Sequence, residues 1–408
     1  MTASHDPVRH LRYLRQSLSQ DNESIGFFIA AGCPLSVEMP EGKWPLIPDV
    51  KNLTLAINKV LEGDKKYLIL LLELGKASKN PENIEDVLSF LRSLKAVSSG
   101  GEVRGLTEQD LKGLDQTICG EIVKRLNVSL PDDETPYHRL CNWVRSIDRK
   151  VAIEFFTTNY DLLLEQALED LEVPYFDGFV GSRKSFFDLR AVEDNLIPTH
   201  WSRLWKIHGS INWHQESKGS EQTVCRFSSP NEGLSHLIYP SHLKYEESRK
   251  MPYLALIDQL NRFIRRKSSF LVLSGYSFND GHLNDAIINA LKSNPTGMVL
   301  ALQFGTYELP ESEGGGERYP NAYRLAKRQH NLNVWTDDKA IIGTNIGSWS
   351  GKVTNAAKDK DLLVFVDWNT PEGVDNETGT RVTLGNFATF TSFLKKFIGV
   401  DPGEQIDQ

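Results

Sequence analysis

The sequence has no apolar run of membrane-spanning length: its longest, YLILLL at residues 67–72, is far short of the roughly 20 residues that a spanning helix needs. The opening residues, MTASHDPVRHLRYLRQ, lack the apolar core of a signal peptide. A cytoplasmic protein with no membrane contact is therefore expected. Cysteine is scarce as well. Cys33, Cys119, Cys141 and Cys225 are far apart and form no CxxC pair, which excludes a zinc ribbon and favours reduced thiols over a disulfide framework. The pairs His208/His214 and His236/His242 are six residues apart, which is not helical ligand spacing, so no metal is expected. Positive charge is also short: 46 Lys and Arg against 54 Asp and Glu give a formal net charge of -8. That sign argues against direct nucleic-acid binding, which needs clustered cations to neutralise phosphates. The one short basic patch, Arg262, Arg265, Arg266 and Lys267, reads as the solvated face of a helix whose apolar side is Tyr253, Leu256, Leu260, Phe263 and Ile264. The GxGxxG dinucleotide fingerprint is missing too.

What is present is the composition of a soluble globular chain, 40% hydrophobic and 25% charged over 408 residues. Short apolar runs alternate with helical periodicity. Strands are predicted at 25–32, 151–156, 269–275, 298–304 and 333–336, with a strand-and-turn segment at 204–213. Helices are predicted to about 171 after the second strand, then over 253–264, 282–291 and 322–329. Between the first two strands, residues 34–49 hold four prolines and read as loop, while 51–147 carries apolar residues at i, i+3 and i+4 and reads as a helical insertion. This order predicts an α/β fold, doubly wound around a mostly parallel sheet. Residues 1–345 would form that domain. Residues 346–408 would be a C-terminal extension, with LLVFVDW (362–368) as a strand and a final helix docked on the core through Phe387, Phe390, Leu394 and Phe397.

In an open parallel sheet, ligands bind beyond the carboxyl ends of the strands, near the reversal of strand order. Four segments end a strand with small or polar residues: AAGCPLS, TTNYD, KIHGSIN and SGYSFND. Ala30, Ala31 and Gly32 would let backbone amides approach a pyrophosphate. Asp161 and Asp280 are each placed to cap a helix. Asn159 is either a turn residue or a ligand-positioning amide. His208 is the one histidine among them, the residue type suited to acid-base chemistry. Cys33 is discounted as a nucleophile, since no strand-end residue stands as its base.

Together these segments resemble the SIR2 (sirtuin-like) family, in particular its prokaryotic antiphage-defence NADases that lack a zinc ribbon and occur with HerA-like ATPases. The matching residues are Ala31-Gly32-Cys33 with Ser36, Ile47-Pro48-Asp49, Asn159-Tyr160-Asp161, His208-Gly209 and Gly275-Tyr276-Ser277-Phe278. They follow the family's order, over roughly residues 20–345. The resemblance implies a Rossmann-like fold with NAD+ as substrate, cleaved to nicotinamide and ADP-ribose. It implies His208 as the catalytic base and Asn159 as the positioner of water and ribose. Ala31, Gly32, Cys33, Ser36, Asp49, Asp161, Gly275, Tyr276, Ser277 and Asp280 would hold the nucleotide. A homo-oligomer and a HerA-like ATPase partner are implied as well. Three departures stand out: Ala30 replaces the first glycine of the family's phosphate loop, the zinc ribbon is missing, and Val50 and Lys51 follow Asp49 in place of an arginine. The missing zinc module disfavours a protein deacylase. A subunit that binds NAD or ADP-ribose and regulates a defence complex is the alternative from another class.

Overall fold

Ten strands form the central sheet: β1 (Ala3–His5), β2 (Ile25–Ile29), β3 (Glu154–Thr157), β4 (Tyr175–Phe176), β5 (Ser202–Lys206), β6 (Phe270–Ser274), β7 (Met298–Leu302), β8 (Leu332–Trp335), β9 (Lys339–Ile342) and β10 (Asn345–Trp349). The computed structural model describes residues 3–218, 221–230, 236–238, 252–352, 360–369 and 378–398. His242, half of one histidine pair, lies outside them. The spatial order is β1-β10-β9-β8-β7-β6-β2-β3-β5-β4. All neighbours are parallel except β8 with β9 and β9 with β10. The fold is thus α/β with a mostly parallel sheet. Every residue of β2, β3, β5 and β6 is buried; β2 and β6 accordingly read as near-continuous apolar runs, whereas β3 (EFFT) and β5 (SRLWK) also bury polar and charged side chains. Taken along the chain as β2, β3, β5, β6, β7 and β8, the six inner strands lie in the order 3-2-1-4-5-6 of a dinucleotide-binding sheet. The reversal falls at β2, where the chain first moves to β3 and β5 and then returns to the other side with β6.

The strands are shorter than the apolar runs that predict them. β2 stops at Ile29 and β7 at Leu302 because Ala30–Gly32 and Gln303–Phe304 leave the ladder to form loops. β3 begins at Glu154, since Val151 lies outside the ladder with its N–H bonded to Asp21 O. The LLVFVDW run divides into a helical turn (Lys360–Leu363) and a strand (Val366–Asn369). The β9–β10 hairpin and a five-stranded antiparallel sheet that includes Gly209–Lys218 were not predicted.

After α1 (Pro7–Leu18), the insertion supplies α2 (Val50–Leu61), α3 (Lys65–Lys76), α4 (Ile84–Val97), α5 (Glu108–Leu126) and α6 (Pro136–Ser146), interrupted by a short β-hairpin at 102–107. Asp49, Asp64, Asn83, Thr107 and Thr135 cap these helices by accepting first-turn amides. The YLILLL run lies in α3, with Tyr67, Leu70 and Leu74 inward. Among the described residues no helix is long and apolar enough to cross a membrane. Beyond the insertion lie α7 (Leu163–Asp170), α8 (Tyr253–Arg265), α9 (Gly281–Ser293) and α10 (Phe387–Lys395). The patch at the end of α8 is structural in part: Arg262 donates to Glu193 O at 2.8 Å, and Arg266 pairs with the buried Glu154. Helix α10 packs on α6 and the face of β2, with Phe390 6.1 Å from Phe27 and Phe387 5.3 Å from Tyr137 between ring centroids.

Candidate active site

The four strands β6, β2, β3 and β5 are immediate neighbours, so the four segments picked out above emerge side by side at one edge of the sheet. A backbone contact joins the first and last. Gly32 N–H donates to Gly275 O at 3.1 Å, and Ala30 N–H to Ser274 O at 3.0 Å. Gly275 has φ +70, and a Cβ there would lie 2.7 Å from Cys33 N and 2.9 Å from Gly32 N. Both the backbone conformation and the close approach therefore require glycine. Beyond this contact a cavity of about 1030 Å³ opens, bounded by these loops, the start of α2, α4 and the Gly385–Phe387 segment.

Of the residues singled out in the sequence, Ala31, Gly32, Ser36, Asp49, Asn159, Asp161, His208, Gly275, Tyr276, Ser277 and Asp280 all line this cavity. Cys33 is not on its wall. Its thiol is fully buried, lies 3.2 Å from Ser274 O and has its pKa pushed far up by burial. Only its backbone borders the loop contact. Tyr276 also turns its side chain inward: the phenol donates to Asn284 Oδ1 at 2.8 Å and packs on Phe28, leaving mainly its backbone for the cavity. Asp49 caps α2 through Asn52 N–H at 2.7 Å, and Ser36 Oγ donates to Cys33 O at 2.7 Å. Ser277 is exposed.

Asn159 is buried, and its Nδ2 donates to Ala30 O at 3.3 Å, tying the β3 turn to the β2 loop. The same side chain favours the ionised form of Asp161. Left-handed backbone does not explain this asparagine, because the non-glycine residues with positive φ include Phe278 but not Asn159. Asp161 accepts from Leu163 N–H at 3.1 Å, one position before the helix cap expected of it, and α7 starts at Leu163. Burial raises its pKa to about 6, against the opposing pull of Lys206. Lys206 lies behind it, fully buried, donating to Asp161 O and at 2.7 Å to Glu165 Oε1. His208 follows β5, with Nε2 3.3 Å from Asp280 Oδ2 and its ring 6.4 Å from that of Tyr160. Tyr160 donates to Glu85 Oε1 at 3.2 Å, and burial pushes its pKa well up.

The arrangement offers an acid-base group (His208), an uncharged amide (Asn159), a buried carboxylate (Asp161) and amide-lined loops in one cavity. Such a set suits cleavage of a bond beside a developing positive charge, with water as the acceptor. Among the described residues no cluster of three or more His, Cys, Asp or Glu could hold a metal ion. Several lining residues escaped sequence reasoning, Gln303, Glu85 and Asn386 among them. Gln303, whose Nε2 donates to Tyr276 O at 2.9 Å, follows β7 directly and was hidden inside the longer strand predicted over 298–304. Glu85 and Asn386 come from α4 and the start of α10, where no local pattern marks them.

Comparison with curated proteins gives no match. Among solved structures, one described as the structural basis for sirtuin substrate affinity is 10% identical, with 71% of this chain and 85% of that chain covered and a TM-score of 0.30. Sir2Tm bound to a propionylated peptide gives 11%, 72%, 87% and 0.32 in the same order. A Sir2 with a p53 peptide and NAD+ gives 10%, 71%, 85% and 0.30. The segment that holds Asn159, Asp161, His208 and Gly275–Asp280, residues 153–322, matches the family model of the SIR2-like domain.

Proposed function

We propose that the protein is an NAD+ glycohydrolase that releases nicotinamide and ADP-ribose. The observation that carries this reading is the convergence of Asn159, Asp161 and His208 with the Gly32–Gly275 loop contact on one cavity. Its volume, about 1030 Å³, lies at the upper end of small-molecule sites and suits a dinucleotide. The pyrophosphate runs along Ala31–Gly32 and Gly275–Ser277, where Ala31, Gly32, Gly275 and Ser277 are small and Tyr276 turns its phenol to Asn284, so that a ligand can approach the backbone. The nicotinamide ribose then reaches the β3 turn. As the bond from the anomeric carbon to the nicotinamide nitrogen breaks, its electron pair passes to the ring and the ribose becomes oxocarbenium-like. Asp161 stabilises that charge, Asn159 orients water, and His208 takes the water's proton as the new C–O bond forms. The SIR2-like match over residues 153–322 supports NAD+ as the substrate class.

We extend the reading to biology: NAD+ depletion serves antiphage defence, gated by a homo-oligomer and a HerA-like ATPase, because ungated turnover would drain the host. The test is incubation of the purified protein with NAD+, alone and with such an ATPase, followed by chromatography of nicotinamide and ADP-ribose beside His208→Ala and Asn159→Ala. Product that both variants lose by at least about 100-fold, with folding intact, is the expected result. Full activity in either variant would overturn the roles. Saturable NAD+ or ADP-ribose binding without product under any condition would favour a regulatory subunit instead.

A further inference from the structure

His208 and Asp280 come from opposite ends of the four-strand group. His208 follows β5 and Asp280 follows β6, with β2 and β3 between them. Their side chains nonetheless meet over the carboxyl ends of those strands, with Nε2 to Oδ2 at 3.3 Å and side-chain exposures of 5% and 10%. The carboxylate divides its two oxygens. Oδ1 accepts from His282 N–H and Leu283 N–H, both at 3.1 Å, as the cap of α9. That cap fixes the rotamer and aims Oδ2 at the imidazole. Asp280 is thus held by one helix at the point where it can hold a residue from another part of the sheet.

We propose that Asp280 is the positioning residue of His208: it accepts the Nε2 proton, fixes the tautomer with Nδ1 as the base, and stabilises the imidazolium that forms on proton abstraction. This rests on His208 acting as the base in the proposed hydrolysis. The logic is that of a carboxylate that orients a histidine without touching substrate. Among the described residues, the titratable groups around His208 include Asp280 at the start of α9, and Tyr160 and Asp161 after β3. Glu85 of α4 accepts from the Tyr160 phenol. Asp280 Oδ2 lies 3.3 Å from Nε2, within hydrogen-bonding range.

Asp280→Asn separates the two duties. Asparagine is an equally good helix cap through Oδ1, but it presents an NH2 to the imidazole in place of an acceptor. The expected result in steady-state NAD+ hydrolysis by the full chain, with its ATPase where required, is a kcat about 10- to 100-fold lower, with KM changed by less than about threefold. The acid limb of the kcat/KM profile should move to lower pH. A readout independent of turnover is the tautomer: in protein labelled with 15N-histidine, neutral His208 should carry its proton on Nε2 in the wild type and on Nδ1 in D280N. An unchanged kcat with a raised KM would show that Asp280 contacts substrate and would overturn the proposal. So would an Nδ1-protonated His208 in the wild type. The two failures are distinguishable: activity in His208→Ala defeats the hydrolase assignment itself, whereas loss in His208→Ala with a fully active D280N defeats only the role of Asp280.

Discussion

Replacing Asp161 by asparagine should stabilise the protein at neutral pH while damaging its site. The carboxyl is 6% exposed, and burial is the largest cause of its rise from 3.8 to about 6, with Lys206 and Leu163 N–H pulling the other way. The folded state therefore holds the proton more tightly than the unfolded chain, and stability falls as pH rises from about 4 to about 6, then stays flat. At 1.36 kcal/mol per pH unit, that gap corresponds to about 3 kcal/mol lost at pH 7.5. Asparagine keeps the shape and can still accept from Leu163 N–H through Oδ1. Nor does it strand the buried cation, since Lys206 donates to the backbone carbonyl of residue 161 and to Glu165. We expect Asp161→Asn to be more stable by about 2–3 kcal/mol at pH 7.5, with the difference fading toward zero near pH 4. Urea unfolding followed by tryptophan fluorescence at pH 7.5, 5 and 4 measures it. Equal or lower stability at pH 7.5, or a difference that does not change with pH, would refute the reasoning. The same variant should lose at least about tenfold in kcat, because the carboxylate is ionised where positive charge develops.

Two further outcomes are expected. Gly275→Ala places a Cβ 2.7 Å from Cys33 N at φ +70, combining left-handed strain with a backbone clash; the cost should be about 2–4 kcal/mol by thermal unfolding, and NAD+ binding by calorimetry should be lost, whereas wild-type behaviour would show that the loops do not pack as described. All four cysteines are buried and unbonded to one another, and burial pushes the thiols of Cys33, Cys119 and Cys141 up, so a chromogenic disulfide reagent at pH 8 should find no thiol within minutes in the native protein and four in denaturant; rapid native labelling of Cys33 would contradict its placement behind the loop.

The inner sheet was legible because β2, β6 and nearly all of β7 are buried, and such strands are written as near-continuous apolar runs. The helical insertion was legible from its periodicity; its Asp, Asn and Thr caps were not singled out. Strand ends were not: the run IGFFIAAG gives no sign of where the ladder stops, since Ala30 stays buried after leaving it. The β9–β10 hairpin was missed because KAII and NIGSW mix exposed and buried residues and turn at Gly343 and Thr344, both with positive φ. Of the site, those residues were legible that follow a strand within a few positions, such as Asn159 and His208. The His208–Asp280 contact was not, because it depends on which strands stand between β5 and β6. Gly385 was hidden for the same reason: a Cβ there would lie 2.0 Å from Gln303 O, a close approach between segments 82 positions apart.

Charge along the cavity wall gives a physical reason for one orientation of a dinucleotide over the other. The lining includes Asp49, Glu82, Glu85, Asp161 and Asp280 but only Lys51 among lysines and arginines, an acidic surface for a ligand with an anionic pyrophosphate. The carboxylates are not spread evenly: Ala30–Gly32 and Gly275–Ser277 carry none, while Asp161 and Asp280 stand beside Asn159 and His208. A pyrophosphate is therefore tolerated where the wall is backbone and small uncharged side chains. The cationic nicotinamide end, and more so the oxocarbenium centre, is favoured where the carboxylates gather. The polarity of the wall thus suits the change in charge along the proposed hydrolysis at the residues proposed for it. Differential stabilisation of that kind raises kcat, whereas even attraction along the whole ligand would lower only KM.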